Sequence, residues 1–304
     1  MKYEIIIIGG GPAGITAGIY ALRANKKILI LEKTGIGGKI ISSPLIENYP
    51  GIKEIKGLEL SENLYKQIIE LGGEIKNEEV IKIEDQGKIK KVITKNETYE
   101  CIAIIIATGT QYKTLGLEKE EQFIGKGISF CAVCDGNFYK GKAVAVIGGG
   151  NTAITNALEL TNICEKVYII QISDSLTAEP ILINQLKEKQ NVEILYKTSI
   201  KRIIGEEKLS GIEIEKNGQN SILTIDGVFV SIGQIPETNI AKQAKIEVNQ
   251  EEYINVNENY MTNQKGIFAA GDCTSKKVRQ LTTAVNDGTI AALTAIEYIN
   301  HLSY

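Results

Sequence analysis

Two cysteines separated by two residues stand near the middle of the chain, in the sequence CAVCDG at residues 131–136. Such a pair can close a small disulfide at a helix N-terminus, where unpaired backbone N–H groups and the helix dipole favour a thiolate. The acid that follows, Asp135, can hold or deliver the proton that dithiol chemistry requires, although an acid there can also simply cap the helix. The motif predicts a redox-active disulfide between Cys131 and Cys134.

A zinc site is the alternative interpretation of two cysteines at this spacing. Structural zinc needs a second pair of ligands. The other cysteines, Cys101, Cys164 and Cys273, are isolated, and the only histidine is His301. We therefore expect no metal site, and we expect the isolated cysteines to serve in packing.

A glycine-rich loop, GGGPAG at residues 9–14, has the context of a nucleotide-binding unit. The apolar run 4–8 precedes it, a helix pattern covers 15–24, and a second apolar run, 27–31, ends in an acid. Strand, GxGxxG, helix, strand and acid together form the Rossmann unit, whereas GxGxxG alone is weak evidence. The alternative, a glycine-rich turn without a ligand, explains less of this pattern.

Each key residue of this unit has a physical role. Gly9 permits the tight turn, Gly11 lets the backbone approach a pyrophosphate, and Gly14 permits close packing of helix on strand. Glu32, which lies 32 − 9 = 23 positions after Gly9, is placed to accept ribose hydroxyls. The sequence predicts a dinucleotide site at the start of the chain.

A second copy of the unit begins a few residues after the cysteine pair. Its loop is GGGNTA at residues 148–153, between a strand at 143–147 and a helix that runs to about residue 160, and the next strand covers 166–170. The remaining pattern predicts helices at 56–71, 181–190 and 282–299, strands within 74–106 and 192–232, and short strands at 253–256 and 267–270.

Composition excludes several classes of protein. The chain has 304 residues, 43% hydrophobic and 23% charged, which is typical of a globular protein with two domains of ordinary size. A net charge of −3 argues against nucleic-acid binding, and no stretch has the length of a membrane span. The N-terminus shows no secretory signal, so we expect a cytoplasmic protein without a membrane partner.

Together these landmarks resemble the low-molecular-weight flavoprotein thioredoxin reductases over nearly the whole chain. Besides the first loop and the CAVCDG centre, the resemblance rests on GGK at 37–39, ENYPG at 47–51, ATG at 107–109, GD at 271–272 and RQLTTA at 279–284. It implies an α/β fold of two Rossmann-like, three-layer domains, with the second inserted in the first. The FAD-binding domain would comprise residues 1–112 and 241–304, and the CxxC-bearing domain residues 113–240.

The same resemblance implies FAD as the cofactor and assigns residues to it. The expected FAD-binding residues are Gly9, Gly11, Pro12, Ala13, Gly14, Glu32, Gly38, Lys39, Asn48, Ala107, Thr108, Gly109, Gly271, Asp272, Arg279, Gln280, Leu281 and Thr282. Asp272 would contact the ribityl chain, and the helix that starts near Thr282 would point its N-terminus at the flavin pyrimidine. Lys39 departs from the glutamine common at its position.

The resemblance also implies roles around the disulfide. Cys134 would lie over the flavin and take electrons, Cys131 would attack the thioredoxin disulfide, and Asp135 would serve as proton donor. A homodimer is implied as well.

One departure from the family pattern concerns the electron donor. NADPH-dependent members carry a basic HRRxxxR motif after the second strand of the inserted domain, but residues 171–177 are QISDSLT, without a positive charge. Charge-assisted phosphate contacts contribute ~1.5–3 kcal/mol each, so their loss makes NADPH improbable as the donor. NADH would want an acid at position 148 + 23 = 171, where the chain has the neutral Gln171, and Asp174 comes three positions late.

A ferredoxin-dependent branch of the family lacks nucleotide-binding residues, and this chain resembles that branch. Its predicted activity is therefore reduction of thioredoxin, or a thioredoxin-like protein, with electrons from reduced ferredoxin. Lys276, Lys277 and Arg279 could help to dock an acidic ferredoxin, or they could form an ordinary solvated surface. NADH or NADPH as the donor is the alternative, and a non-catalytic flavin-binding redox sensor is the alternative of another class.

Overall fold

The computed structural model describes residues 2–43 and 45–302 and divides the chain into two compact units. The first unit comprises Met1–Ile41, Tyr49–Gln111 and Ile235–Tyr304, and the second comprises Ser42–Asn48 and Tyr112–Gln234. The second unit is thus inserted in the first. Its main segment covers 112–234, where the sequence predicts 113–240, and residues 42–48 group with it rather than with the first unit.

Short elements alternate along the described chain. The strands are β1 (Ile5–Ile8), β2 (Ile28–Glu32), β3 (Glu74–Asn77), β4 (Val80–Gln86), β5 (Ile89–Thr94), β6 (Thr98–Cys101), β7 (Ala103–Ile106), β8 (Thr110–Tyr112), β9 (Ile128–Ser129), β10 (Ala143–Ile147), β11 (Lys166–Gln171), β12 (Val192–Tyr196), β13 (Thr198–Gly205), β14 (Leu209–Lys216), β15 (Gln219–Thr224), β16 (Gly227–Val230), β17 (Gln234–Pro236) and β18 (Ile267–Ala269). The α-helices are α1 (Pro12–Arg23), α2 (Gly57–Glu70), α3 (Glu120–Phe123), α4 (Ala132–Asp135), α5 (Asn151–Thr161), α6 (Pro180–Lys187), α7 (Asn239–Gln243) and α8 (Leu281–Leu302). Single 3-10 turns cover Gly38–Ser42, Gly136–Tyr139 and Gly271–Cys273.

The first unit is built on a five-stranded parallel sheet in the order β18-β7-β1-β2-β3. Its central strand, β1, consists of four isoleucines that are all buried. Continuous apolar runs of this kind suit a parallel strand that is covered on both faces. The carboxyl ends of β1 and β2 therefore lie side by side, and this edge carries the glycine-rich loop and Glu32.

Helices α1 and α8 pack closely together in the same unit. The buried face of α8 is lined by small residues, among them Ala284, Gly288, Ala291 and Ala295. A Cβ at Gly288 would collide with the carbonyl oxygen of Ala13, so only glycine allows this approach. Close helix packing thus fixes the first turn of α1, which bears the glycine-rich loop.

The second unit repeats this plan. Its parallel sheet has the order β12-β11-β10-β16-β9, and α5 follows β10 as α1 follows β1. Each unit also carries a three-stranded antiparallel sheet, β4-β5-β6 in the first and β13-β14-β15 in the second. The predicted α/β class with two Rossmann-like domains, the second inserted in the first, is confirmed.

The predicted strand at 253–256 is wrong. Only isolated bridges form there, from Ile254 to Val248 and to Thr274. Side-chain amide oxygens of Asn249 and Asn257 accept backbone N–H groups on either side of the segment, so local turns compete with a regular strand pairing. None of the described helices is both long enough and apolar enough to cross a membrane.

The close approach of α8 to α1 predicts that Gly288→Ala destabilises the first unit. The added methyl must displace the Ala13 backbone, and overpacking of this kind costs about 1–3 kcal/mol. Urea unfolding followed by circular dichroism measures the effect. Gly35→Ala is the matched control, since no atom lies within 4 Å of a Cβ at Gly35. Equal midpoints for the two variants would contradict the packing argument.

Candidate active site

The dithiol lies on the one-turn helix α4, directly after the edge strand β9 of the second unit. Cys131 is the N-cap of this helix, with extended backbone angles (φ −141°, ψ 103°), and its Sγ accepts a hydrogen bond from Cys134 N at 3.2 Å. A disulfide joins Cys131 and Cys134, with the sulfurs 2.07 Å apart. Both residues are partly exposed. The pair is therefore placed where an external thiol can reach it.

Asp135, at the end of α4, is largely withdrawn from water. Its Oδ2 accepts a hydrogen bond from Ser129 Oγ at 2.6 Å, whereas its Oδ1 is buried and has no hydrogen-bond partner among the described residues. Burial raises the pKa of Asp135 above its usual range, and the Ser129 hydrogen bond opposes that rise. A carboxyl in this setting keeps its proton to higher pH than an exposed one, which suits a proton donor beside a thiolate.

Two titratable groups in this part of the unit, Tyr139 and Cys164, stay neutral at physiological pH. Burial, followed by the charges of Asp135 and Asp226, raises the pKa of Tyr139 to about 12. Burial likewise raises the pKa of Cys164 to about 11. The Tyr139 ring packs edge-on against Phe229, with 5.2 Å between centroids. No positive side chain compensates Asp135 through a hydrogen bond in the described residues.

The glycine-rich loop of the first unit has the geometry of a pyrophosphate cradle. A Cβ at Gly14 would collide with the carbonyl oxygen of Gly9, and Gly9 itself has a positive φ of 111°. At Gly11, by contrast, no atom lies within 4 Å of a Cβ position. Gly11 is the N-cap of α1, Pro12 and Ala13 follow it, and no side chain in the described chain caps this helix. The N–H groups of the first turn can therefore bind an anion.

Glu32 lies at the end of β2, as expected, and has a second role there. Its Oε2 accepts a hydrogen bond from Gly10 N at 2.6 Å, and its Oε1 accepts from Thr34 N at 2.8 Å. Glu32 thus fixes the glycine-rich loop against the second strand. The turn at Gly37 contacts the same loop, since Gly37 N donates to Gly10 O at 2.8 Å. Gly38, which follows, has a positive φ of 55°.

Lys39 and Asp272, both predicted to bind FAD, form an ion pair. Lys39 Nζ lies 2.7 Å from Asp272 Oδ2 and donates to Thr110 Oγ1 at 2.8 Å. The 3-10 turn that bears Asp272 lies beside the first loop, because a Cβ at Gly271 would come within 2.8 Å of Ala13 Cβ. The structure thus brings residues from four distant parts of the sequence to one place.

A buried acid that the sequence analysis missed completes this cluster. Asp287 on α8 is 1% exposed; it accepts hydrogen bonds from Gly271 N at 3.1 Å and from the Tyr260 hydroxyl, and its Oδ2 lies 2.5 Å from Lys276 Nζ. Lys276 also lies 3.8 Å from Asp272. A lone acid on the apolar face of α8 was the one signal that could have revealed it.

The remaining predicted residues lie in the first unit, except for Asn48. Thr108 Oγ1 donates to Glu237 O at 2.6 Å, and Gly109 has a positive φ of 68° after Ala107. Arg279 stacks over the Tyr253 ring at 4.0 Å. Gln280 precedes α8, whose first residues are Leu281 and Thr282. Asn48 is exposed and belongs to the segment grouped with the second unit.

The second unit differs from the first at the last residue of its second strand. Gln171 occupies the place that Glu32 has in the first unit, because its amide lies against Gly149 as Glu32 lies against Gly10. The Gln171 amide donates to Ser173 Oγ at 2.8 Å and to Ser175 O at 3.1 Å. Its amide N–H groups thus donate within its own loop, and the side chain carries no negative charge for a ribose hydroxyl.

An acid also lies at the start of α5. Asn151, its first residue, donates from Nδ2 to Glu179 Oε1 at 3.0 Å, and its Oδ1 accepts from Glu179 N at 2.7 Å. Glu179, which is the N-cap of α6, thus places a negative charge against the first side chain of α5, where it would repel a phosphate. The second loop therefore keeps the glycines of the motif without its charge pattern.

The basic cluster suggested for docking is mostly engaged inward. Lys276 pairs with Asp287 and Asp272, and Arg279 covers Tyr253 while donating to Asp272 O at 3.3 Å. Lys277 is exposed. Of the three cations, Lys277 alone is presented to solvent on these grounds.

Two Rossmann-like units and a CxxC disulfide define a class of protein, the disulfide oxidoreductases with paired nucleotide-binding folds. The family model described as Pyridine nucleotide-disulphide oxidoreductase matches residues 3–288, and the chain belongs to this family. Within it, the chain belongs to the low-molecular-weight thioredoxin reductases.

Three known proteins support this placement. The thioredoxin reductase of Streptococcus pyogenes is 37% identical, with a TM-score of 0.93 and 98% of each chain covered. A "34.2 kDa protein in rubredoxin operon" of Clostridium pasteurianum is 42% identical over 98% of this chain and 97% of the relative. A ferredoxin-flavin thioredoxin reductase of Clostridium acetobutylicum is 32% identical, with a TM-score of 0.54 and 98% of each chain covered.

The buried carboxyl predicts a pH-dependent stability difference for Asp135→Asn. Because the pKa of Asp135 is raised above 3.8 in the folded state, the unfolded chain loses this proton first as the pH rises, and the folded state loses stability through that window. Asparagine does not ionise. The variant should therefore gain stability relative to the parent at neutral pH compared with pH 4. Urea unfolding at both pH values measures this, and a pH-independent difference would contradict it.

Proposed function

We propose that this protein is an FAD-dependent thioredoxin-disulfide reductase whose electron donor is reduced ferredoxin. The observation that carries the proposal is the contrast between its two glycine-rich loops. The first has an open cradle at Gly11 and an acid at Glu32, whereas the second has Gln171 and the acid Glu179. One unit is fitted to a dinucleotide, and the other keeps only the fold.

The first unit fits FAD by the chemistry of its donor groups. The α1 N-terminus at Gly11 can hold the pyrophosphate, Glu32 the ribose hydroxyls, and Asp272 with Lys39 the polar chain beyond. When bound, FAD supplies a carrier that exchanges electrons with both one-electron donors and a disulfide. The protein's own residues bind and orient it.

The disulfide performs the exchange with thioredoxin. In the reduced state the Cys131 thiolate attacks the thioredoxin disulfide, forming a mixed disulfide, and the departing thioredoxin thiolate takes the proton of Asp135. Cys134 then passes its proton to Asp135 and attacks Cys131 Sγ. This closes the Cys131–Cys134 disulfide and releases the second thioredoxin sulfur, which takes a proton from water.

The choice of ferredoxin rests on what residues 171–179 lack. This stretch contains no lysine or arginine, and its Glu179 carboxylate would repel a phosphate at the start of α5. The similarity to a protein named ferredoxin-flavin thioredoxin reductase supports the same donor. By the family resemblance we also propose a cytoplasmic homodimer.

Anaerobic reduction of the flavin absorbance tests the donor. NADH, NADPH and photoreduced ferredoxin are offered separately, with thioredoxin as acceptor and Cys134→Ser as the variant that should block transfer to thioredoxin. We expect bleaching by ferredoxin alone, followed by thioredoxin reduction. Rapid bleaching by NADH or NADPH would overturn the donor assignment. Flavin reduction without any thioredoxin turnover would favour a redox sensor instead.

A matched pair of glycine substitutions separates the two loops. Gly11→Ala places a methyl in the open cradle, so the affinity for FAD should fall about tenfold or more while the fold is retained. Gly150→Ala is the equivalent change in the second loop, where Thr177 Oγ1 lies 3.8 Å from the Cβ position, and ferredoxin-driven turnover should be unchanged. FAD titration of the apoprotein and steady-state rates measure both. A large loss of turnover in Gly150→Ala would show that the second loop binds a substrate.

A further inference from the structure

The buried hydroxyl of Ser129 touches both ends of the dithiol helix. Ser129 is 4% exposed at the end of β9, where it pairs with Phe229 of β16. Its Oγ accepts a hydrogen bond from Cys131 N at 3.1 Å and lies 2.6 Å from Asp135 Oδ2. A second acceptor, Cys131 O, lies at 3.5 Å, the limit of a hydrogen bond. The strand thus fixes the hydroxyl before the helix begins.

A hydroxyl has a single proton to donate, and the geometry decides where it goes. Because Cys131 N occupies an acceptor position of Ser129 Oγ, the proton is directed to the much shorter contact with Asp135 Oδ2. Asp135 Oδ1 receives nothing from the described residues and is shielded from solvent. In the protonated carboxyl, Oδ2 is therefore the acceptor and Oδ1 the oxygen that bears the proton.

We infer that Ser129 is a positioning residue for the dithiol reaction, which sets the side-chain orientation of Asp135 and confines its transferable proton to Oδ1. The inference rests on the proposed role of Asp135 as proton donor and carrier. Ser129 itself exchanges no proton with sulfur. Its hydrogen bond stabilises the carboxylate and so sets the pH at which Asp135 gives up its proton.

Other ionisable groups near Asp135 do not change the assignment of Asp135 as the carboxyl that Ser129 positions. Tyr139, in the turn after α4, has a pKa raised to about 12, so it is neutral over the pH range of interest. Asp226 and Cys164 act on Tyr139, and the pKa of Cys164 is itself raised to about 11. Burial and the Ser129 hydrogen bond are what shift the pKa of Asp135, and Cys131 and Cys134 on the same helix ionise once the disulfide is reduced. Asp135 is thus the carboxyl that titrates within α4.

A single-turnover experiment tests the inference without a donor or thioredoxin. The protein is reduced with dithiothreitol, desalted under argon and mixed with Ellman's reagent from about pH 5 to pH 9. Besides the limb of thiol ionisation, the phase that closes the Cys131–Cys134 disulfide should show a second limb in the parent, the carboxyl limb, that is lost in Asp135→Asn. Since neither thioredoxin nor ferredoxin takes part, failure of the proposed function and failure of this inference are distinguishable.

The variants at position 129 should move the carboxyl limb. In Ser129→Ala it should shift upward by about 1 pH unit, because one hydrogen bond to the carboxylate is lost. Ser129→Thr retains a hydroxyl and should restore the parental limb. Ser210→Ala is the control, since Ser210 is an exposed serine of the same unit whose hydroxyl donates to Ile204 O, and its limb should match the parent.

Three results would overturn the inference: an unshifted carboxyl limb in Ser129→Ala, no restoration in Ser129→Thr, or a carboxyl limb that persists in Asp135→Asn. Infrared difference spectra of the parent and Asp135→Asn provide a test that leaves Ser129 in place. The C=O band of the protonated carboxyl should titrate at the pH of the kinetic limb. Absence of a titrating band would also overturn the inference.

Discussion

The close approach of a helix to the end of a parallel strand is the constraint on which both units depend. In the first unit, Gly14 of α1 leaves no room for a Cβ above Gly9. In the second, Gly148 turns with a positive φ of 129° against Ser231. The approach aims a helix N-terminus along the edge of the sheet and places the end of the second strand beside it. The candidate contacts at the glycine-rich loop and at Glu32 follow from this arrangement.

The same packing constraint explains why a loop can keep its glycines when no nucleotide binds to it. A loop that needs glycine for packing keeps it whether or not a nucleotide binds. The glycine motif alone is therefore weak evidence of nucleotide binding. The two units are distinguished by the side chain at the end of the second strand. Glu32 accepts a hydrogen bond from Gly10 N at Oε2, whereas the Gln171 amide donates to Ser173 and Ser175. The fold is shared between the units, and the electrostatics are not.

Local pattern was sufficient for much of the fold. The four isoleucines of β1, the strand at 143–147 and the helix near 56–71 all depend on neighbours in sequence. Contacts between residues that are distant in the sequence could not be predicted from local pattern. The Lys39–Asp272 contact joins residues 233 positions apart. The role of Asp287 is evident only from its contacts with Gly271 and Lys276 in the folded chain. Nor does any local signal show that Ser129 faces Asp135.

Two largely buried acids, Asp287 and Asp135, have different hydrogen-bond partners, and this difference separates a structural role from a chemical one. Asp287 is satisfied by a backbone N–H, a tyrosine hydroxyl and the ammonium of Lys276, so its charge is neutralised and it ties α8 to the turn at Gly271. Asp135 accepts one hydrogen bond from a hydroxyl at Oδ2, and within residues 2–43 and 45–302 its Oδ1 has no partner. Asp287 is thus held in place as part of the fold, whereas Asp135, whose pKa is raised by burial, is suited to exchange a proton. The incomplete hydrogen bonding of the Asp135 carboxyl lowers the stability of the fold. The same incomplete bonding leaves the carboxyl able to exchange a proton.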